Sequence, residues 1–252
     1  MKEIPLKPLA HHCFELAYIF FELRHRYRHP ILHHQTSEWL NVAAGLEDIS
    51  FDSRRLYALT SGGNIDIDHR LYENARQKNK DLVFALIRFE MIWSGLRCID
   101  NALKKGVTSD LSELIVYMSK NYSGIKNLDG YNCTLRKLRR LSRIHGIRIR
   151  HNLMNFPSSM RGVELVAELR SLFVKCAYAF PFSHQVQLDE GTDPELVHMS
   201  SRIVLMTMQM LLLTMFAGRD DRIDSWWHIN KKGRLLTTHA MLRTVHLQGG
   251  AE

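Results

Sequence analysis

An all-α fold is predicted for this 252-residue chain by three features. Between Asp81 and Lys105, Leu82, Phe84, Ala85, Ile87, Phe89, Ile92, Trp93, Leu96, Ile99 and Leu103 recur at helical intervals. Pro30, Gly106 and Pro157 follow helix-forming segments, where helices are expected to stop. The segment from Thr134 places leucines on one side of a helix and arginines on another. With 45% apolar residues the chain can bury a real core, and no repeat or low-complexity linker divides it. The economical organisation is one all-α helical bundle over residues 1–252.

In chain order, Leu9 to Arg28 forms a first helix, stopped by Pro30. A short helix follows from about Ser37, and then an irregular segment, Glu47–Asp68, containing Ser61-Gly62-Gly63-Asn64. Asp68 to Lys78 reads as a polar helix, with Asp68 as its N-cap, ahead of the apolar helix Asp81–Lys105. Ser109 caps the next helix, which runs to about Lys120. After the loop Asn121–Tyr131 comes a basic helix, Thr134 to Asn155, closed by Pro157. Val163 to Ala179 and Glu195 to Phe216 are further helices, separated by a Pro181–Pro194 loop. Thr237–Val245 forms a last helical piece before a frayed end.

The stretch Ile203–Gly218 is too short for a comfortable membrane span and contains Gln209, so it reads as a buried core helix. Met206, Met208, Met210 and Met215 are then adaptable core filler.

Charge is concentrated in one place. Between Tyr131 and Val163 there is no Asp or Glu, while Arg136, Lys137, Arg139, Arg140, Arg143, Arg148, Arg150 and Arg161 are all present. These eight charges equal the net charge of +8, so the rest of the molecule is balanced. A concentrated positive element attracts polyanions far better than the same charge spread evenly. Leu135, Leu138, Leu141, Ile144 and Ile147 supply an apolar stripe at three-residue spacing, and Arg136, Arg140 and Arg143 occupy another face. Guanidinium groups suit phosphates through bidentate hydrogen bonds, so Arg136, Lys137, Arg139, Arg143 and Arg148 are candidate nucleic-acid contacts.

The long helix FALIRFEMIWSGLRCIDNAL, a shorter helix, and a basic helix ending IRIRHNLMNF resemble the HEPN superfamily. Members are all-α bundles common in prokaryotic toxins and antiviral defence systems, and many are metal-independent RNases that act as dimers. The resemblance covers about residues 81–179, leaving residues 1–80 as an N-terminal helical extension and 195–252 as C-terminal helices. It implies an RNA partner, no cofactor, a homodimer, and an antitoxin or defence-system partner protein. The family signature is Arg, four to six residues, then His, often with a polar residue after the Arg.

Arg150-His151-Asn152-Leu153-Met154-Asn155 matches by hydrophobic context, with Asn155 in the place of the His, which implies a degenerate site. Arg140 to His145 matches by spacing, with Leu141 at the polar position, and Arg139 to His145 satisfies the spacing as well. Arg24-His25-Arg26-Tyr27-Arg28-His29 matches on the first helix. The implied catalytic set is Arg140, His145, Arg150, His151 and Asn155. In such a site the RNA 2′-hydroxyl is the nucleophile, His145 moves the proton, and Arg140, Arg143 or Arg150 stabilises the phosphate charge. A five-residue step turns a helix by about 140°, so Arg140 and His145 need a second copy of the helix to complete one groove.

Other constellations point to structure. His25 and His29 have HxxxH spacing, with His11, His12, His33 and His34 nearby, but no acidic third ligand shares their face; they read as a basic helix end. Asp66-Ile67-Asp68-His69 could hold Mg²⁺, against the simpler capping role of Asp68. Asp220, Asp221 and Asp224 before Trp226-Trp227 read as capping and anchoring.

There is no P-loop, no GxGxxG after a strand, no GxSxG and no recognisable catalytic triad. Cys13, Cys98, Cys133 and Cys176 form no CxxC pair, which fits a reducing cytoplasm. The N-terminus lacks the clean apolar run of a signal peptide, and no membrane association is expected. A helix-turn-helix DNA reader is disfavoured, because Asn121–Tyr131 is too long for its turn.

Overall fold

The computed structural model describes residues 5–50, 69–104, 111–121, 127–145, 147, 161–174, 192–216 and 236–248. Their helices are α1 (Leu9–Arg26), α2 (His34–Gly45), α3 (His69–Leu103), α4 (Ser112–Asn121), α5 (Tyr131–Ile144), α6 (Arg161–Val174), α7 (Thr192–Phe216) and α8 (Thr238–Thr244). The expected all-α bundle is observed; the described residues include no strand, and Leu6 and Leu247 form an isolated antiparallel bridge.

Helix α7 is the hub, packing against α1, α3, α5, α6 and α8. It is buried all round from Ser200 to Leu213, as a helix apolar on every side must be. Its length and composition alone would let it cross a membrane, yet 89% of its most apolar window is covered by the rest of the protein. Met206, Met208 and Met210 fill this core, as expected of adaptable side chains, and Met215 packs at its edge. The helix starts at Thr192, earlier than Glu195, because Pro194 falls in the first turn, where a missing N–H costs nothing.

One correction concerns α3. The polar and apolar segments expected as two helices form one helix of 35 residues. No Gly or Pro interrupts Lys78–Asp81, and Gln77 Nε2 donates to Asp81 Oδ1 at 2.7 Å across the junction. The next helix is capped from a distance: buried Asp100 accepts from the Leu114 backbone N–H at 3.2 Å and pairs with Lys104 at 3.1 Å. Ser109, the expected cap, lies outside the described residues. Arg88 performs the opposite service for α2, donating to the carbonyls of Ala43 (3.0 Å) and Leu46.

The tail is pinned rather than frayed as far as Gln248. Lys7 N–H donates to His246 O at 2.9 Å and Gln248 N–H to Pro5 O at 3.0 Å, flanking the Leu6–Leu247 bridge.

The polar side chains of α7 dictate a second layer of order. Ser200, Ser201 and Thr207 donate to carbonyls one turn back and are satisfied within the helix. Arg202 and Gln209 are too long for that and need partners elsewhere. Arg202 donates to Lys7 O at 2.6 Å and to His12 Nδ1 at 3.0 Å. His12 must therefore carry its proton on Nε2, which donates to Gln209 Oε1 at 3.0 Å. Gln209 Nε2 donates to the Leu242 carbonyl and, at 2.9 Å, to His246 Nδ1. His246 Nε2–H then donates to the Asp129 carbonyl at 2.7 Å. Each bond in this chain has one consistent donor and one acceptor, and both histidines are held neutral. The chain of bonds runs from α1 through α7 and the pinned tail to the loop that starts α5.

Helix α6 enters this core through a glycine. A Cβ on Gly162 would lie 2.2 Å from the Tyr131 hydroxyl and 2.9 Å from Ile203 Cγ2. Tyr131 is fully buried and cannot swing aside. Gly162→Ala is therefore expected to lower stability by about 1–3 kcal/mol, although alanine is the better helix former. Chemical denaturation checks this; an unchanged or raised midpoint would contradict the packing described.

Candidate nucleic-acid interface

The acid-free helix α5 begins at Gly130, whose φ of 83° is the left-handed conformation that favours glycine. The loop before it is fastened three times. Tyr131 N–H donates to Leu128 O at 3.1 Å, Arg243 donates to Asn127 O at 3.3 Å, and His246 holds Asp129 O.

The buried face consists of Tyr131, Thr134, Leu135, Leu138, Leu141 and Ser142. This corrects the expected stripe: Ile144 is 47% exposed. Three-residue steps lag a 3.6-residue helix by about 60° each, so a stripe that starts at Leu135 has turned to the outer side by Ile144. Ile147 does pack against the core, from beyond the helix end.

Arg136, Lys137, Arg140 and Arg143 are exposed, whereas Arg139 and His145 are half-buried. The expected arginine face at i, i+4 and i+7 is thus present. Lys137 is engaged, its Nζ 2.5 Å from Glu195 Oε1 on α7, so it helps dock α5 and its charge is compensated. Arg136 Nε also donates to Asn132 O at 3.3 Å, which steadies its stem along the helix.

The helix ends at Ile144, well before Asn155. His145 is the C-cap, with its N–H on the Leu141 carbonyl at 3.0 Å, and Ile147 N–H returns to the Ser142 carbonyl at 2.9 Å. That return bond is the Schellman stop, and the sequence has a glycine, Gly146, between the two residues. Arg140 therefore lies in the last two turns and His145 directly at the exit.

Arg148, Arg150, His151 and Asn155 lie outside the described residues, as do Asp66 to Asp68, Asp220, Asp221, Asp224, Trp226 and Trp227. The third motif match is divided by the fold. Arg24 sits on the last turn of α1, while His29 follows the helix in a turn where its Nδ1 accepts from Ile31 N–H at 3.3 Å. The His29 ring packs edge-on to Tyr117, and burial lowers its pKa. Among the described residues no cluster of three or more His, Cys, Asp or Glu could hold a metal ion.

The exposed guanidinium groups line one side of α5, and the position of that helix depends on residues that its own sequence pattern does not mark. Tyr131, Thr134 and Ser142 seat the helix, and His246 and Arg243 fix its entry loop. The one sequence clue to that support was Gln209, a polar residue in the most apolar stretch. Comparison of the chain with protein-family models, with curated proteins and with solved structures found no match.

Proposed function

We propose that this chain holds RNA across the arginine face of α5, as a helical module of HEPN-like type. The observation that carries the reading is the exposure of Arg136, Arg140 and Arg143 on one side of a helix without a carboxylate. Solvated helix faces ordinarily mix both signs, and this one is built to attract a polyanion. Seven residues of helix spread the three guanidinium groups over about 10 Å, enough to engage more than one phosphate.

Binding to single-stranded RNA is expected to weaken with salt, with a log–log slope of about −2 from three phosphate contacts. Combined Arg136→Ala, Arg140→Ala and Arg143→Ala removes that part of the slope and lowers affinity about ten- to hundredfold. Fluorescence anisotropy between about 50 and 200 mM salt checks both. Unchanged affinity in the triple variant would overturn the assignment, and a preference for duplex DNA would favour a DNA-binding role instead.

A second reading adds cleavage, and it is favoured by the placement of His145 at the exit of α5. Because His145 lies about 140° round the helix from Arg140, the arginines of a second copy of the helix complete its groove. Its imidazole takes the 2′-hydroxyl proton as that oxygen bonds to the adjacent phosphorus. The bond to the 5′-oxygen breaks, the proton passes to that oxygen, and the products are a 2′,3′-cyclic phosphate and a 5′-hydroxyl. Arg140 and Arg143 stabilise the charge that builds on phosphorus in between. An RNase assay in EDTA with His145→Ala and Arg150→Ala tests the step. Cleavage lost in either, with binding retained, supports it; an RNA-binding protein that cuts nothing leaves only the binding role. Loss in Arg24→Ala alone would move the site to α1.

A further inference from the structure

The strap of chain before α1 and the first turns of α5 enclose a pocket of about 300 Å³. Pro5 and Leu6 of the strap and Met199 of α7 give it apolar walls, and Cys133, Thr134 and Lys137 line its α5 side. Backbone bonds hold the strap in place. Leu6 bridges to Leu247, Lys7 N–H donates to His246 O and Gln248 N–H donates to Pro5 O. The pocket is therefore formed in advance of any ligand. Its volume falls at the small end of the range of about 300–1,000 Å³ usual for small-molecule sites.

We propose that this pocket receives one unpaired base of the RNA strand that the arginine face holds, an inference that rests on the RNA-binding reading above. Three observations select a base. The first is position. Steps of three, seven and ten residues from Cys133 place Arg136, Arg140 and Arg143 within about 80° of it around the helix. A strand whose phosphates follow those arginines thus runs alongside the pocket.

The second is charge. Lys137 is the one charged residue in the lining, and its Nζ lies 2.5 Å from Glu195 Oε1. The pocket is then close to neutral and lacks the uncompensated cation that a phosphate would call for. A base carries no charge and presents flat apolar faces, which Leu6 and the polarisable thioether of Met199 can cover.

The third is an unused hydroxyl. Thr134 is 4% exposed and lines the pocket, and among the described residues none is hydrogen-bonded to its side chain. Ser142 on the same helix, and Ser200, Ser201 and Thr207 on α7, all donate to a carbonyl one turn back. A hydroxyl this enclosed seldom goes without a partner. It both donates and accepts, so it can meet the polar edge of a base in either sense.

Cys133 reports on occupancy, because its thiol belongs to the lining. Alkylation of the full chain by iodoacetamide, followed by peptide mass spectrometry, compares a saturating single-stranded RNA with an abasic strand of the same length. The RNA is expected to slow labelling of Cys133 about tenfold, and the abasic strand, bound through its phosphates alone, less than about twofold. Labelling of Cys98 on α3, outside the pocket, should not change. Thr134→Val should lower RNA affinity about three- to tenfold and leave affinity for the abasic strand as it was, and Thr134→Ser should restore the loss. Equal protection by both strands, RNA bound without protection of Cys133, or wild-type RNA affinity in Thr134→Val overturns the pocket and leaves the arginine face standing. A wild type that binds no RNA defeats the arginine face and the pocket together.

Discussion

Replacing Gln209 with leucine is expected to cost about 3–5 kcal/mol, more than any other single substitution considered. The volume is nearly conserved, so the loss does not come from a cavity. It comes from the groups left behind: His12 Nε2–H loses its acceptor, and the Leu242 carbonyl and His246 Nδ1 lose their donor. All three groups are buried, and each unsatisfied one costs on the order of 1–3 kcal/mol. Against a domain stability of about 5–15 kcal/mol this leaves a marginal protein.

Gln209→Glu discriminates the mechanism. It keeps the acceptor for His12 and replaces the two donors with a carboxylate, which raises the pKa of His246 and pairs with it once protonated. The glutamate variant should therefore recover part of its lost stability as pH falls from 7 towards 6, whereas the leucine variant should not. Urea midpoints for both variants at the two pH values decide it. A leucine variant as stable as wild type would show that the bonds through Gln209 carry no net stability.

The same network explains how so remote a residue bears on the interface. Gln209 orients His246, His246 holds the Asp129 carbonyl, and Asp129 precedes the glycine at which α5 begins. A variant that loosens the tail should lose RNA affinity beyond what its unfolded fraction explains, because the arginine face is set by where α5 starts.

Much of this fold was legible in the sequence, because it rests on helical periodicity and each helix announces its buried side. The errors came where a weaker signal was read over a stronger one. The change from a polar to an apolar pattern divides Asp68–Lys78 from Asp81–Lys105, yet Asn79 is fully buried and nothing there prevents a helix from continuing. Pro157 predicts a long helix, but α5 ends at Ile144, where the Ile147 N–H returns to the Ser142 carbonyl. The apolar stripe of α5 was counted in threes, which put Ile144 inside and left out Tyr131, Thr134 and Ser142.

The arginine face was legible, since exposure at i, i+4 and i+7 follows from helical geometry once the opposite side is buried. The support behind it was not. His12 and Gln209 are 197 residues apart, and Arg243 and Asn127 are 116 apart. Local pattern cannot report such pairs; it can only mark Gln209 as a polar group that must find a partner.

Acid should undo the same network before it touches most carboxylates. Burial, and then the Arg202 and His246 charges, hold the His12 pKa well below its ordinary value, opposed by its bond to Gln209. Burial likewise brings His246 down to about 4, helped by Arg202 and Lys7 and opposed by Asp129. The unfolded chain binds protons on both residues from about pH 6.5 downward, while the folded chain does not. Below that pH the unfolded state therefore carries more protons, and stability falls as pH falls. The contribution is fully present above about pH 6.5 and is lost as pH drops through 6 and 5 towards 4.

With two such histidines the slope is about 2.7 kcal/mol per pH unit, or roughly 3 kcal/mol lost by His246 alone across the window. His29, His33, His198 and His239, also held low by burial, add in the same direction. Unfolding driven by carboxylates of ordinary pKa sets in below about pH 5, so a decline that begins near pH 6 identifies the histidines. Urea midpoints measured at about pH 7.5, 6.5 and 5.5 should fall steadily, and most of the fall should disappear in a His12→Gln, His246→Gln double variant that folds. A wild-type midpoint that stays level from about pH 7.5 to 5.5 would mean that one or both rings accept a proton without breaking their bonds, which the donor order from Arg202 to Asp129 does not permit.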